Sequence, residues 1–177
     1  KADSHFVVAI MSGNFTQRGE PAIFDKWTRT RLALLGGVDI VIELPALYAL
    51  QSAEGFASGG VSIANGLGVV DELCFGSEST DMEKLRKTAH TLAGEDAVFR
   101  SGLKESLSKG VSFPSARMAA LKAKLKEGQD VIKGPNDILA VEYLKALIRS
   151  GSAIRRAERC IRAALASGRN VQIEPSS

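Results

Sequence analysis

The feature that most constrains this chain is a pair of short, nearly continuous apolar runs rich in β-branched residues, His5–Met11 (HFVVAIM) and Val38–Leu44 (VDIVIEL). Runs of this length and character read as strands covered on both faces of a parallel sheet. Between them, Trp27, Leu32 and Leu35 are spaced as on a helix over Asp25–Leu35, with Asp25 as its N-cap and Gly36-Gly37 as its stop. Pro45 then opens a long small-residue helical stretch, Ala46–Asn65, in which Gly55, Gly59 and Gly60 predict close packing or a break. A third run, Val69–Phe75 (VVDELCF), reads as another strand. Strands that alternate with helices build a parallel α/β sheet, because parallel neighbours need crossovers and these are right-handed in nearly all cases.

After the third run the pattern is helical: Asp81–Leu92, Asp96–Lys109, Pro114–Lys126, Asp137–Ile148 and finally Ala153–Ser167, capped by Gly168. Repeats and low-complexity tracts are absent, which excludes a solenoid or a linker array. With 177 residues the chain can bury one self-sufficient core. The hydrophobic share of 45% and charged share of 24% are those of an ordinary globular protein. No apolar run reaches the roughly 20 residues of a membrane span, and no secretory signal opens the chain, so a cytoplasmic protein is expected. The two cysteines, Cys74 and Cys160, lack zinc-ligand spacing and read as buried thiols. A net charge of +3 is too small to identify a partner. Its distribution says more: Arg149, Arg155, Arg156, Arg159, Arg162 and Arg169 crowd the end of the chain against only Glu158 and Glu174. Such a segment attracts phosphate, although a solvated helix face has the same composition.

Ligands of open parallel sheets sit beyond the carboxyl ends of the strands. Two loops lie there. Ser12–Pro21 clusters Asn14, Gln17, Arg18 and Glu20 around Gly13 and Gly19, more polar groups than a turn requires. Gly76-Ser77-Glu78 follows the third strand, where Gly76 lets a nucleotide approach the backbone, a weak signal alone. Asn136, in Gly134-Pro135-Asn136-Asp137, reads locally as a side-chain cap of the following helix. No G-x-x-x-x-G-K-[ST] loop, G-x-G-x-x-G fingerprint or G-x-S-x-G elbow is present. His5 and His90 form no site by spacing.

The run Met11–Arg29 (MSGNFTQRGEPAIFDKWTR) is long and compositionally unusual, and it resembles the tRNA(Met) cytidine acetate ligase family. The resemblance continues through Gly37–Pro45, Gln51–Ala53, Phe75–Glu78 and Pro135–Leu139, in order and at similar spacing, and covers residues 5 to 148. It implies a Rossmann-like fold of the nucleotidyltransferase and class I aminoacyl-tRNA synthetase type, with an ATP-binding domain over 1–148 and an Arg-rich helical segment over 149–177. It further implies that ATP and acetate, with Mg²⁺, give acetyl-adenylate, and that the acetyl group passes to the wobble cytidine of elongator tRNA(Met). By matching motifs, Gly76 and Asn136 are implied nucleotide contacts, and Arg155 or Arg156 a phosphate contact. Ser12, Gly13, Asn14, Gln17 and Arg18 border the same pocket, and Arg159 and Arg162 are candidates for tRNA phosphate.

Two departures accompany the match. The family's N-P-F-H-x-G-H segment is not in this chain and is expected upstream of Lys1, so no catalytic residue is assigned. The family's S-x-x-x-I-R motif fits Ser150–Arg155 in one alignment, whereas Ile161–Leu165 fits the helix after it in another. A non-catalytic nucleotide- or tRNA-binding module, and an adenylyltransferase acting on a small metabolite, are the alternative readings.

Overall fold

A computed structural model of the chain describes residues 6–79, 81–94, 97–110, 116 and 134–156. The first apolar run forms β1 (Val8–Ser12) and the second β2 (Ile40–Leu44), paired in parallel from Val8 opposite Ile40 to Ser12 opposite Leu44. The crossover between them is α1 (Lys26–Leu35). Asp25 caps it as expected: its carboxylate accepts the amides of Trp27 and Thr28 at 2.8 and 3.0 Å and the Thr28 hydroxyl at 2.8 Å. Those bonds, the Thr28 amide foremost, hold the Asp25 carboxyl below its ordinary pKa. The helix buries no residue, however, and Trp27 and Leu35 are 75% and 72% exposed. Its cap and stop, rather than an apolar stripe, mark it locally. Nor is the ladder covered on both faces: β1 is half-buried throughout, and Ile40 is exposed while Leu44 is buried.

The small-residue stretch divides into α2 (Ala46–Ala49) and α3 (Ala53–Leu67). The break falls at Leu50–Ser52, ahead of the glycines, and the glycines serve packing instead. A Cβ on Gly59 would lie 2.5 Å from the Tyr48 ring, so α2 folds back against α3 only because that position is bare. The third run narrows to β3 (Glu72–Leu73). α4 (Met82–Gly94), α5 (Ala97–Ser108) and α6 (Pro135–Arg149) follow, and then β4 (Arg155–Arg156), which pairs in parallel with β3. The start of the final helix predicted from Ala153 is thus a strand: Arg155 donates its amide to the Asp71 carbonyl at 2.7 Å, a partner 84 positions away that local pattern cannot reveal. The rest of that segment, and the predicted helix Pro114–Lys126 apart from Ala116, lie outside the described residues, as does His5.

Among the described residues the strands thus pair, all in parallel, as two two-stranded ladders, β1–β2 and β3–β4. They share a core. Val61 and Ala64 of α3, Leu147 of α6 and Ile154 form a buried cluster that takes in Ile10 of β1 and Leu73 of β3. A second cluster sets Leu85, Ala89 and Leu92 of α4, spaced i, i+4, i+7, against Ala140, Val141 and Leu144 of α6, spaced i, i+1, i+4, as two helical faces meeting. Each fully buried leucine contributes about 1.5–3 kcal/mol relative to exposure. Cys74, one residue past β3, is exposed and disulfide-bonded rather than a buried thiol. Successive strand side chains alternate, so Leu73 turns inward and Cys74 outward. Cys160 lies outside the described residues.

Candidate nucleotide site

The loop after β1 is a compact polar hairpin. Phe15 and Pro21 form an antiparallel bridge, the Thr16 amide donates to the Glu20 carbonyl at 2.8 Å, and the Gly19 amide donates to Thr16 at 2.9 Å. Gly19 has φ of 79°, a left-handed conformation that favours glycine. Asn14 serves the fold here: its side-chain oxygen accepts the Lys26 amide at 2.9 Å, which ties the loop to the first turn of α1. Arg29 reaches back from α1 and donates to the carbonyls of Ser12 and Gly13 at 2.8 and 2.7 Å. Gly13 admits the Glu43 carboxylate, because a Cβ there would lie 2.4 Å from Glu43 Oε1. Glu43 in turn pairs with Lys26 at 2.8 Å. Ser12, Gly13 and Asn14 are thereby held from α1 and β2, whereas Gln17 and Arg18 occupy the turn, with Arg18 exposed and unpaired among the described residues.

Gly76 and Asn136 come together through their neighbours. Gly134, and not Asn136, is the N-cap of α6, and it supplies no side-chain bond; the expected Asn136 cap does not form. Pro135 opens the helix without an amide hydrogen, so the first amides to be satisfied are those of Asn136 and Asp137. Glu78 accepts both, at 3.1 and 2.8 Å. The Asp137 carboxylate, fully buried, reaches the other way and accepts the Ser77 hydroxyl and the Ser79 amide, the latter at 2.8 Å. Asn136 keeps an exposed side chain, and around Gly76 there is open space. A phosphate at the positive end of α6 would compete with a carboxylate already bound there. The pair therefore leaves exposed the Gly76 backbone and the side-chain carboxamide of Asn136, not a vacant helix terminus.

Arg155 lies on β4, beside the strand that leads to Gly76, with Nη2 3.7 Å from Glu72 and its side chain 73% exposed. Arg156 is the next strand residue, and Arg159 and Arg162 lie outside the described residues. No hydrogen bond among the described residues joins the loop after β1 to Gly76 or Asn136. No group of three or more His, Cys, Asp or Glu side chains converges as a metal cage among them either. Four residues to which sequence reasoning gave no individual role hold these two loops in place: Glu78, Asp137, Arg29 and Glu43. Two acidic side chains near a glycine and a proline were visible, but their pairing spans 58–60 positions.

A family described as HIGH Nucleotidyl Transferase matches residues 1–161. Two curated proteins named tRNA(Met) cytidine acetate ligase illustrate the similarity. That of Caldicellulosiruptor saccharolyticus is 54% identical over 148 residues, and that of Acetivibrio thermocellus 51% over 152. Each alignment takes in 84% of this chain but only 36% and 37% of the relative, so the chain spans little more than a third of their length. The crystal structure of Thermotoga maritima TmcAL in its apo form is 44% identical and superposes with a TM-score of 0.81, over 85% of this chain and 37% of that one. The same protein bound with alpha-thio ATP gives the same score. The parallel ladders and their helices thus have the Rossmann-like nucleotidyltransferase fold. The chain belongs to the HIGH nucleotidyl transferase family and, within it, to the tRNA(Met) cytidine acetate ligase family.

Proposed function

We propose that this chain supplies the ATP-binding part of an enzyme that activates acetate and acetylates the wobble cytidine of elongator tRNA(Met) to N4-acetylcytidine. The observation that carries the reading is the superposition, at 44% identity, on a protein crystallised with alpha-thio ATP. A chain this similar in sequence and fold presents its loops in the same order around the same sheet. In the proposed reaction an acetate oxygen attacks the α-phosphorus of ATP and pyrophosphate leaves. The cytidine amine then attacks the acetyl carbonyl, and AMP leaves. Neither step needs a covalent enzyme intermediate. The protein's task is alignment of the reacting groups and stabilisation of developing charge.

Within this scheme Gly76 and Asn136 contact the nucleotide, and Arg155 or Arg156 meets phosphate. Ser12, Gly13, Asn14, Gln17 and Arg18 border the pocket, Arg18 being the cation held out at the turn. Arg159 and Arg162 are assigned to tRNA phosphate, and the division into an ATP-binding part over 1–148 and a phosphate-contacting segment over 149–177 belongs to the same reading. Mg²⁺ would travel with ATP, held by its phosphates and by water, which suits a site whose described residues form no cage. The deciding experiment incubates the full-length protein that contains this chain with ATP, labelled acetate and elongator tRNA(Met), beside residues 1–177 alone. Acetylated cytidine from the full-length protein is the expected product. Pyrophosphate release that ignores acetate would favour an adenylyltransferase of another metabolite, and nucleotide binding without any product would favour a binding module.

A further inference from the structure

We infer that Glu78 and Asp137 are positioning residues of the nucleotide site: they form a reciprocal carboxylate clamp that sets the Gly76 backbone against the Asn136 side chain. The inference rests on the proposed nucleotide role of those two positions. Gly76 leaves β3 and Asn136 begins α6, two segments far apart in sequence. Each segment is tied to the other by a carboxylate that accepts backbone amides. Glu78, from the strand-side loop, accepts the amides of Asn136 and Asp137 at 3.1 and 2.8 Å. Asp137, from the helix, accepts the Ser79 amide at 2.8 Å and the Ser77 hydroxyl. The Ser77 hydroxyl also receives the Ser79 amide at 3.1 Å, which closes the loop on itself.

Three neighbouring choices make sense only with that clamp. A Cβ on Gly134 would lie 2.7 Å from the Glu78 carboxyl carbon, so glycine opens the space that the carboxylate occupies. Pro135 removes the one early amide that Glu78 would leave unsatisfied. Asp137 is fully buried and Ser77 and Ser79 are each 5% exposed, so these bonds are sheltered from competing water. By contrast Gly76 and the side chain of Asn136 stay exposed, presented by the clamp but outside its bonds.

The test is ATP affinity, measured by calorimetry on the full-length protein, with the steady-state KM for ATP and for acetate beside it. Glu78→Ala loses two charge-assisted bonds and is expected to weaken ATP binding about tenfold. Gly134→Ala leaves both carboxylates in the chain but displaces Glu78, and is expected to act in the same direction. Glu78→Gln retains one acceptor and is expected to fall between wild type and Glu78→Ala. In all three the KM for acetate and the kcat at saturating ATP stay near wild type, and Glu83→Ala on the exposed face of α4 changes nothing. A folded Glu78→Ala protein with wild-type ATP affinity overturns the inference. If that variant fails to fold, wild-type affinity in Gly134→Ala and Glu78→Gln overturns it equally. Wild-type protein that binds no ATP defeats the nucleotide reading instead. The clamp is then read from amide exchange at Asn136 and Asp137, where protection unchanged in Gly134→Ala removes it.

Discussion

Tyr143 shows how much one side chain of this fold reports. It stacks on Phe75 with ring centroids 5.5 Å apart and 19° between planes, under the loop that leads to Gly76. Burial pushes its phenol above the ordinary value of 10.0. Burial disfavours the phenolate, so the unfolded chain ionises first as the pH rises. The contribution to stability is complete below about pH 10 and is lost as the pH climbs from there toward the raised folded pKa. Urea midpoints taken from about pH 8 to about pH 11 are expected to fall more steeply for wild type than for Tyr143→Phe; parallel declines would show that the phenol is not responsible. Legibility at this scale was uneven. Asp25 was readable as a cap because the amides that donate to it are two and three residues away. Asn136 was misread as one, because the competing carboxylate of Glu78 comes from another part of the chain.

Adjacent glycines of α3 have opposite duties. A Cβ at Gly59 would meet the base and ring of Tyr48 at 2.5–2.8 Å, atoms that cannot swing aside without moving α2. At Gly60 the nearest atom is Tyr143 Cε1 at 3.5 Å, an ordinary contact. Alanine gains up to about 1 kcal/mol of helix propensity at either place, while overpacking costs about 1–3 kcal/mol. Gly60→Ala is therefore expected to raise the thermal midpoint and Gly59→Ala to lower it. The opposite order in a melting experiment would mean that α2 is not seated on α3 as described. From the sequence both residues predict packing or a break, and nothing local separates them. Among the described residues the elements themselves were legible in order and kind through α6. The start of the last one was not, since β4 exists through its pairing with β3.

Across the whole molecule, α3, α4 and α6 are joined by charge as well as by apolar contact. Lys145, 2% exposed, pairs with Glu54 of α3 at 2.9 Å and with Glu142, 3% exposed, one turn away on α6. The Lys145–Glu142 contact is an ion pair without the geometry of a directed hydrogen bond. Arg149 bonds to Glu54 at 2.9 Å and to the Leu92 carbonyl at 3.4 Å, which brings in α4. Removing one partner of a buried pair costs about 3–5 kcal/mol, whereas replacing both with apolar groups is often neutral. Lys145→Met is expected to lower stability by an amount in that range, and Glu142→Leu with Lys145→Met by less than the sum of the single changes. Additive effects in chemical denaturation would show that the two charges do not act as a unit.

What this sequence determined by itself is what needs only near neighbours. Short apolar runs made β1 and β2, a carboxylate at Asp25 made the start of α1, and alternation of strand with helix made a parallel α/β fold. Tertiary structure decided the rest. It paired the described strands as two ladders, turned Cys74 outward into a disulfide, and drew Arg155 and Arg156 into a strand. It also joined Glu78 and Asp137 to each other's segments, at the proposed nucleotide site. Local hydrogen bonds and side-chain periodicity act over a few residues, so they are written in the sequence. A strand's partner, a helix's remote cap and the space beside a glycine depend on what the folded chain brings near.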